Sequence, residues 1–269
     1  MNLHNVLSEI EKTDPEIYER LDSRRSAMRS FAKIGGKLAL AAVPIALGSM
    51  FKKAYGQTSN TIVGVLNYAL TLEYLESEFY IMGVSAPGLI PAGTPAVAAI
   101  TTIRDHEVAH VAFLKTAISS LGGSPVAKPG FDFTAGGAFA NVFTNYDTFL
   151  AVSQTFEDTG VRAYKGRAGD LMSNNDVLTA ALQIHAVEAR HASHVRQMRK
   201  ARGANVKPWI TGKDSGIGAA VQASYNGEEL TTQATVDITK FVSASAASEA
   251  FDEPLTADQV LAIVGPFIK

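Results

Sequence analysis

Cysteine is absent from the 269 residues of this chain. Its absence excludes disulfide frameworks, zinc sites built on thiolates and iron–sulfur clusters. Any metal ion must therefore be held by oxygen and imidazole nitrogen. A large excess of one charge is also missing, since the net charge is -2 and the sequence pI is near 6.3. Neither value indicates a nucleic acid or an anionic membrane as a partner.

The N-terminal part lacks an apolar run long enough for a stable membrane span. The run at residues 38–51 is interrupted by a proline and is shorter than the roughly 20 residues that a span needs. It follows Arg24-Arg25, so residues 1–57 resemble a Tat-type export signal, with residues 54–56 as a cleavage site. This pattern predicts a periplasmic or extracellular protein. The alternative is an N-terminal helix that packs on the rest of a cytoplasmic protein.

The remaining sequence has a globular composition, with 46% hydrophobic and 19% charged residues. Apolar residues recur at helical spacing in four stretches that proline- and glycine-containing segments separate. These stretches are residues 59–82, 95–120, 146–167 and 175–202. The pattern predicts an all-α fold with a four-helix bundle over residues 58–204.

A glutamate interrupts the apolar positions near the middle of every predicted helix. These residues are Glu73, Glu107, Glu157 and Glu188. In the second and fourth helices a histidine follows three residues later, at His110 and His191. A buried carboxylate is costly unless its charge is compensated. Two divalent cations would neutralise four carboxylates, and residues three apart on a helix can reach one ion.

The pattern occurs twice along the chain. Each half supplies a lone glutamate and then a Glu-x-x-His pair, as expected for two helical hairpins. The connection at residues 122–145 is the longest between the predicted helices, and it predicts the crossover from one hairpin to the other. The alternative is a bundle whose glutamates form buried ion pairs. No arginine occupies the apolar positions of the first, second or fourth helix, although Arg162 of the third could turn inward.

These motifs resemble the ferritin-like superfamily, in particular the bacterial ferritin-like domain proteins grouped with desiccation-related proteins. The resemblance covers about residues 58–204 and includes Leu66-Asn67 of the first helix. It implies that Glu107 and Glu188 bridge two ions of Fe or Mn. It also implies that Glu73 and Glu157 are terminal ligands, and that His110 and His191 each bind one ion.

Other polar residues near these positions have alternative roles. Glu76 lies one turn beyond Glu73 and is interpreted as a neighbour of the ligands rather than a ligand. Tyr80 and Tyr164 each follow a glutamate by seven residues, and they either orient ligand carboxylates or pack as core tyrosines. The histidines that lie one step off the apolar positions are interpreted as ordinary flanking residues. These are His106, His185 and His194.

Residues 205–269 extend beyond a compact ferritin subunit and are predicted to pack on the bundle as a wrap, a lid or an interface. A short helix is expected after Thr256, stopped by Gly265-Pro266. The apolar residues expected to contact the bundle are Phe251, Leu255, Val260 and Ile263. An extension of this length argues against a closed storage cage, and a homo-oligomer is left open.

Three functions are compatible with this sequence. The first is an oxidoreductase of stress protection that acts on Fe(II) with O2 or on peroxide, including a dinuclear manganese catalase. The second is a non-catalytic desiccation or envelope protein in which the bundle is structural. The third is a dimetal oxygenase that acts on an organic substrate. Carboxylate and imidazole ligands suit both Fe(II) and Mn(II), so the ligand set does not choose the metal.

Overall fold

The computed structural model describes residues 61–269. The export signal predicted for residues 1–57 lies outside these residues. The main elements, in chain order, are α1 (Ile62–Ser85), α2 (Pro95–Ser120), α3 (Tyr146–Arg167), α4 (Asn175–Ala201), β1 (Thr232–Gln233), β2 (Val236–Asp237), α5 (Ala244–Glu249) and α6 (Ala257–Val264). Short 3-10 helices lie at Ala168–Leu171, Ala219–Ser224, Ile238–Lys240 and Gly265–Phe267. The two strands form an antiparallel pair.

The four long helices begin at residues that favour a first turn. The side chains of Thr61, Asn145 and Asn174 each accept a hydrogen bond from the backbone N–H three residues later. Pro95 occupies the first position of α2, where its missing N–H costs nothing. The bounds of α2 and α3 are those predicted from the sequence, whereas α1 begins and ends about three residues later than predicted.

The four helices form two hairpins. α1 packs mainly on α2, and α3 packs mainly on α4. Residues 121–145 cross from one hairpin to the other, as the sequence predicts. The all-α fold with a four-helix bundle is confirmed. Within residues 61–269, no helix combines the length and the apolar character needed to cross a membrane.

An aromatic cluster fixes the crossover to the bundle. The ring of Phe79 stacks on Phe149 at 4.7 Å and meets Phe133 of the crossover edge-on at 5.3 Å. Gly83 makes this stacking possible, because a Cβ there would lie 2.3 Å from the Phe149 ring. Phe267, beyond α6, meets Phe156 at 4.8 Å and extends the cluster to the C-terminal segment.

Backbone hydrogen bonds join the C-terminal segment to the crossover. The N–H of Asp132 donates to the carbonyl of Phe267 at 2.8 Å, and the N–H of Lys269 donates to Gly130 at 2.9 Å. Phe131 and Ile268 form an isolated antiparallel bridge between them. The two segments therefore close over the same end of the bundle.

Arginines buried on α3 and α4 hold the rest of the extension. Arg162 is 1% exposed and donates to the carbonyls of Glu253, Ser224 and Asn226 at 2.6 to 2.9 Å. Its Nε also lies 2.8 Å from Oε1 of Glu228, which is equally buried. The extension is thus part of the folded core.

Two further arginines of α4 complete this attachment. Arg196 pairs with Asp158, which also accepts a hydrogen bond from the Tyr225 hydroxyl at 2.8 Å. Arg199 donates to the carbonyl of Gly216 at 2.7 Å. Arg199 therefore contacts the extension directly, and Arg196 reaches it through Asp158, which Tyr225 also contacts.

The apolar residues expected to anchor the extension behave differently from one another. Leu255 and Val260 are buried, and Ile263 packs against the core. Phe251 is expected to pack as well, but the residue is 42% exposed and thus less buried than the other three. It lines a surface cleft of about 260 Å³ together with Trp209.

Candidate metal centre

The four mid-helix glutamates meet at the centre of the bundle. Glu73, Glu107, Glu157 and Glu188 come from α1, α2, α3 and α4 respectively, and none has exposed surface. Apolar clusters lie on both sides of them along the bundle axis. The helices therefore bring four carboxyl groups together in the buried interior of the bundle.

The ligand atoms form two overlapping groups. Glu73, Glu107, His110 and Glu188 make the first, and Glu107, Glu157, Glu188 and His191 make the second, with the atoms of each group within 4.8 Å of one another. Glu107 and Glu188 belong to both groups. All six residues that the sequence assigns to metal binding are brought together.

Both histidines direct Nδ1 at the carboxylates. In the first group, Nδ1 of His110 lies 3.2 Å from oxygens of Glu73, Glu107 and Glu188. In the second, Nδ1 of His191 lies 2.8 Å from Glu107 Oε1 and 3.3 Å from Glu157 Oε2. One imidazole therefore serves each group.

Several polar atoms of the cluster have no hydrogen-bond partner among residues 61–269, although they are fully buried. They are Glu107 Oε1, Glu157 Oε2, both carboxylate oxygens of Glu188, and His191 Nδ1. Nδ1 of His191 and Oε1 of Glu107 are close, but their directions do not meet hydrogen-bond geometry. An unsatisfied buried polar group costs about 1–3 kcal/mol. Atoms that converge without bonding each other are arranged as ligands of a common cation would be.

Two tyrosines hold the outer carboxylates. The Tyr80 hydroxyl of α1 donates to Glu157 of α3 at 2.5 Å, and the Tyr164 hydroxyl of α3 donates to Glu73 of α1 at 2.5 Å. Each hairpin thus orients the glutamate of the other. This leaves the second oxygen of each carboxylate free to face the cluster.

Proximity and burial shift the pKa values of the glutamates in opposite directions. Burial, followed by the charge of Glu107, raises the pKa of Glu73 to about 8. Burial and the charges of Glu107 and Glu73 raise the pKa of Glu188 well above its ordinary value. Burial also acts to raise the pKa of Glu107, but contacts with His110 and His191 outweigh it and lower the pKa to about 2.

The imidazoles gain protons in the same environment. Burial acts to lower the pKa of His191, but the carboxylates of Glu157 and Glu107 raise it to about 11. Burial opposes protonation of His110 too, and contacts with Glu107, Glu188 and Glu73 raise its pKa well above the ordinary value. The cluster therefore requires positive charge, which protons or metal cations can supply.

Glu76 is a fifth buried glutamate near the centre. It is 3% exposed and belongs to neither ligand group among the described residues. Burial, followed by the charge of Glu188, raises its pKa well above the ordinary value. Gly160 of α3 leaves it space, because a Cβ there would lie 3.1 Å from Glu76 Oε1 and 3.5 Å from Glu188 Oε2.

His106 was interpreted as an ordinary flanking residue, but it contacts a residue of the cluster. Its Nδ1 lies 2.9 Å from Nε2 of His191. The signal available in the sequence was the run His106-Glu107-Val108-Ala109-His110, because residues four apart lie on one side of a helix. This run matches the H-E-x-x-H pattern of zinc hydrolases, in which both histidines hold one ion. Here His106 turns toward α4 instead.

The charged partners of the four glutamates differ from those in the ion-pair alternative. Their ion pairs are made with His110 and His191. Arg162 is buried, but it turns toward Glu228 and the extension rather than toward the cluster. Arg196 and Arg199 are buried on α4 as well, which the sequence did not indicate. Arg196 pairs with Asp158 of α3, and Arg199 donates to the carbonyl of Gly216 in the extension.

Comparison with known families agrees with this geometry. The family model of the ferritin-like domain matches residues 61–201. The chain belongs to the ferritin-like domain family. The match covers α1 to α4, and so all six residues of the two ligand groups. A search of curated proteins gave no match. The buried glutamate–histidine cluster of this ferritin-like protein is compatible with a dimetal site.

Proposed function

We propose that this ferritin-like protein binds two Fe or Mn ions and acts as an oxidoreductase in stress protection, on Fe(II) with O2 or on peroxide. The observation that carries the proposal is the pair of overlapping ligand groups with buried, unpartnered atoms. Glu107 and Glu188 would bridge the ions, since they belong to both groups. Glu73 with His110 and Glu157 with His191 would complete the two positions.

The protein residues would hold the ligands in place and keep bulk water away from the ions. Two adjacent ions of a redox metal would supply the electron transfer and the binding of O2 or peroxide. The tyrosines orient Glu73 and Glu157, and the apolar clusters at both ends exclude bulk water. Fixed ligands in a water-excluded site cost little rearrangement when charge moves.

With manganese, this oxidoreductase would be a dinuclear manganese catalase, because oxygen and imidazole ligands suit Mn(II) as well as Fe(II). A second candidate is a non-catalytic desiccation or envelope protein whose metal stabilises the bundle. The attachment of the extension to the core by Arg162, Arg196 and Arg199 is the observation that favours this structural candidate. Metal-dependent turnover distinguishes the catalytic candidates from this one.

Metal analysis is the first experiment. Protein purified from a native-like host without added metal is analysed for its elements, beside Glu107→Gln/Glu188→Gln and the control Glu78→Gln, which changes an ion pair at the surface. We expect about two Fe or Mn per chain in the wild type and the control, and none in the double variant. Ferroxidase and peroxide assays of the loaded protein then follow.

The outcomes separate the candidates. Two bound ions with turnover support the oxidoreductase, and the metal found chooses between iron and manganese chemistry. Two bound ions without turnover of Fe(II) or peroxide favour the structural role. If the wild type binds no metal and the double variant folds as well as the wild type, the dimetal proposal is overturned.

We propose that the protein is exported and acts in the periplasm or outside the cell, on the basis of Arg24-Arg25 and the apolar run that follows. The replacement Arg24→Lys/Arg25→Lys should retain the protein in the cytoplasm if a Tat-type pathway exports it. Unchanged fractionation of this variant would contradict the proposal and favour the cytoplasmic alternative.

A further inference from the structure

We infer that His106 is a positioning residue that orients His191 as a metal ligand and makes the two ion positions unequal. The inference rests on the proposed dimetal site. It concerns a residue outside both ligand groups, whose imidazole is exposed to solvent while that of His191 is buried. It adds a connection from the surface of α2 to the buried centre.

The two rings meet edge to edge. The Nδ1 of His106 and the Nε2 of His191 are 2.9 Å apart, the ring planes differ by 16°, and the ring centroids are 5.2 Å apart. The centroid separation exceeds the N–N distance by about the two nitrogen-to-centroid distances. Both nitrogens therefore lie near the line between the rings, as an in-plane hydrogen bond requires.

This hydrogen bond selects the tautomer of His191. A neutral imidazole carries one proton, and a nitrogen that binds a metal must be the other one. Nδ1 of His191 faces the carboxylates, so the ligand form carries its proton on Nε2 and donates it to Nδ1 of His106. A hydrogen-bond partner of this kind fixes both the tautomer and the ring orientation.

The second histidine of the cluster is not supported in this way. The contacts of His110 run through Nδ1 to the carboxylates, and its Nε2 has no hydrogen-bond partner within residues 61–269. Only the His191 position is therefore fixed by a second imidazole. The two positions are expected to differ in affinity, with His106 strengthening the one that contains Glu157.

Cobalt titration tests the inference without requiring turnover. Co(II) is added to the metal-free full-length protein, and the two binding steps are followed by calorimetry and by the visible absorption of the bound ion. We expect His106→Leu to weaken one step about 10- to 100-fold and to change the spectrum of that ion, as loss of an outer partner does. The other step should be unchanged.

Two further variants separate positioning from a general structural effect. In His106→Asn, the side-chain oxygen takes the place of Nδ1 as acceptor and should restore the affinity and the spectrum. The control His194→Leu removes an exposed histidine of α4 and should bind as the wild type does. Thermal unfolding of the metal-free variants shows that each is folded.

The results distinguish this inference from the proposed function. Two wild-type sites with both steps unchanged in His106→Leu would overturn the role of His106 and leave the dimetal site intact. Equal weakening in His194→Leu, or failure of His106→Asn to restore the spectrum, would overturn it as well. A wild type that binds fewer than two Co(II) ions would overturn both.

Discussion

Glu73 and His191 both hold a proton at neutral pH in the metal-free protein, because their pKa values are raised to about 8 and about 11. Each must lose that proton to become a ligand. Metal binding should therefore release protons, and the apparent affinity should rise with pH through about 8, where Glu73 loses its proton, and on toward about 11, where His191 does. Calorimetry in two buffers of different ionisation enthalpy measures the release. Identical heats in both buffers would show that the ligands are already deprotonated.

Gly160 is a residue whose replacement has opposing effects. Alanine at an interior helix position is favoured over glycine by about 1 kcal/mol. At Gly160, however, the added Cβ would press on Glu76, 3.1 Å away, beside Glu188, which it would touch at an ordinary van der Waals distance of 3.5 Å. We expect Gly160→Ala to gain none of that stability in the metal-free protein and to weaken metal binding. Urea unfolding and metal titration measure the two effects.

Gly169 provides the comparison for this substitution, because a Cβ there would meet nothing within 4 Å. Gly169→Ala should leave metal binding unchanged and should not reduce the free energy of unfolding. If Gly160→Ala were stabilised by the full propensity difference with unchanged metal affinity, the space beside Glu76 would have no role in the centre.

At the level of elements, the aromatic cluster joins α1, α3, the crossover and the segment beyond α6. Phe267 is 5% exposed and contacts Phe139 and Phe156. Phe267→Ala should lower the free energy of unfolding by about 3 kcal/mol, through lost burial and a cavity. The measurement is the denaturant midpoint at constant slope.

A phenylalanine on the surface of the same extension is the matched control. Phe241 is 73% exposed, so Phe241→Ala should change stability by less than about 0.5 kcal/mol. Similar losses in the two variants would mean that the cluster does not hold the extension in place.

The sequence predicted these elements to different degrees. In the structure, α2 and α3 begin at local signals, with Pro95 at the first position of α2 and the capping side chain of Asn145 before α3. The predicted bounds of α1 lie about three residues too early, because this helix is buried on most of its sides. Leu70, Tyr74 and Leu75 are among its buried residues. A helix without a polar face has a weak periodicity, which does not locate its ends.

The ligand residues were predictable from their positions on single helices, whereas the contacts of His106 and Arg162 were not. A glutamate at an apolar position is visible in any helix, whatever its neighbours are. The contact of His106 with His191 depends on how far α2 and α4 are rotated toward each other. The contact of Arg162 with Glu228 depends on the path of a segment that has little regular structure. Neither property is encoded in the spacing along one helix.

At the level of the whole molecule, Arg162 connects the bundle to the extension. Arg162→Met would leave Glu228 as a buried carboxylate without its cation and three carbonyls without a donor. We expect a loss of about 3 kcal/mol in the free energy of unfolding. We also expect faster cleavage of residues 205–255 in limited proteolysis, because local opening exposes them.

A second substitution tests whether the lost charge pair is the cause. Arg162→Met/Glu228→Gln removes both charges and should recover part of the stability, because no buried charge then lacks a partner. Arg104→Met, at a surface pair with Asp105, serves as the control and should have little effect. If the double variant has a lower free energy of unfolding than Arg162→Met, the unpaired charge of Glu228 is not the cause, which would contradict this explanation.

The pairing of Phe267 and Lys269 with the crossover also has a consequence for the time course of folding. Helical bundles generally fold fast, because their contacts join residues that are close in the chain. Here the last hydrogen bonds join segments separated by α3, α4 and most of the extension. The entropy of closing so long a loop must be overcome before these contacts form. The bundle should therefore gain its helices early, and closure of its aromatic end should set the overall rate.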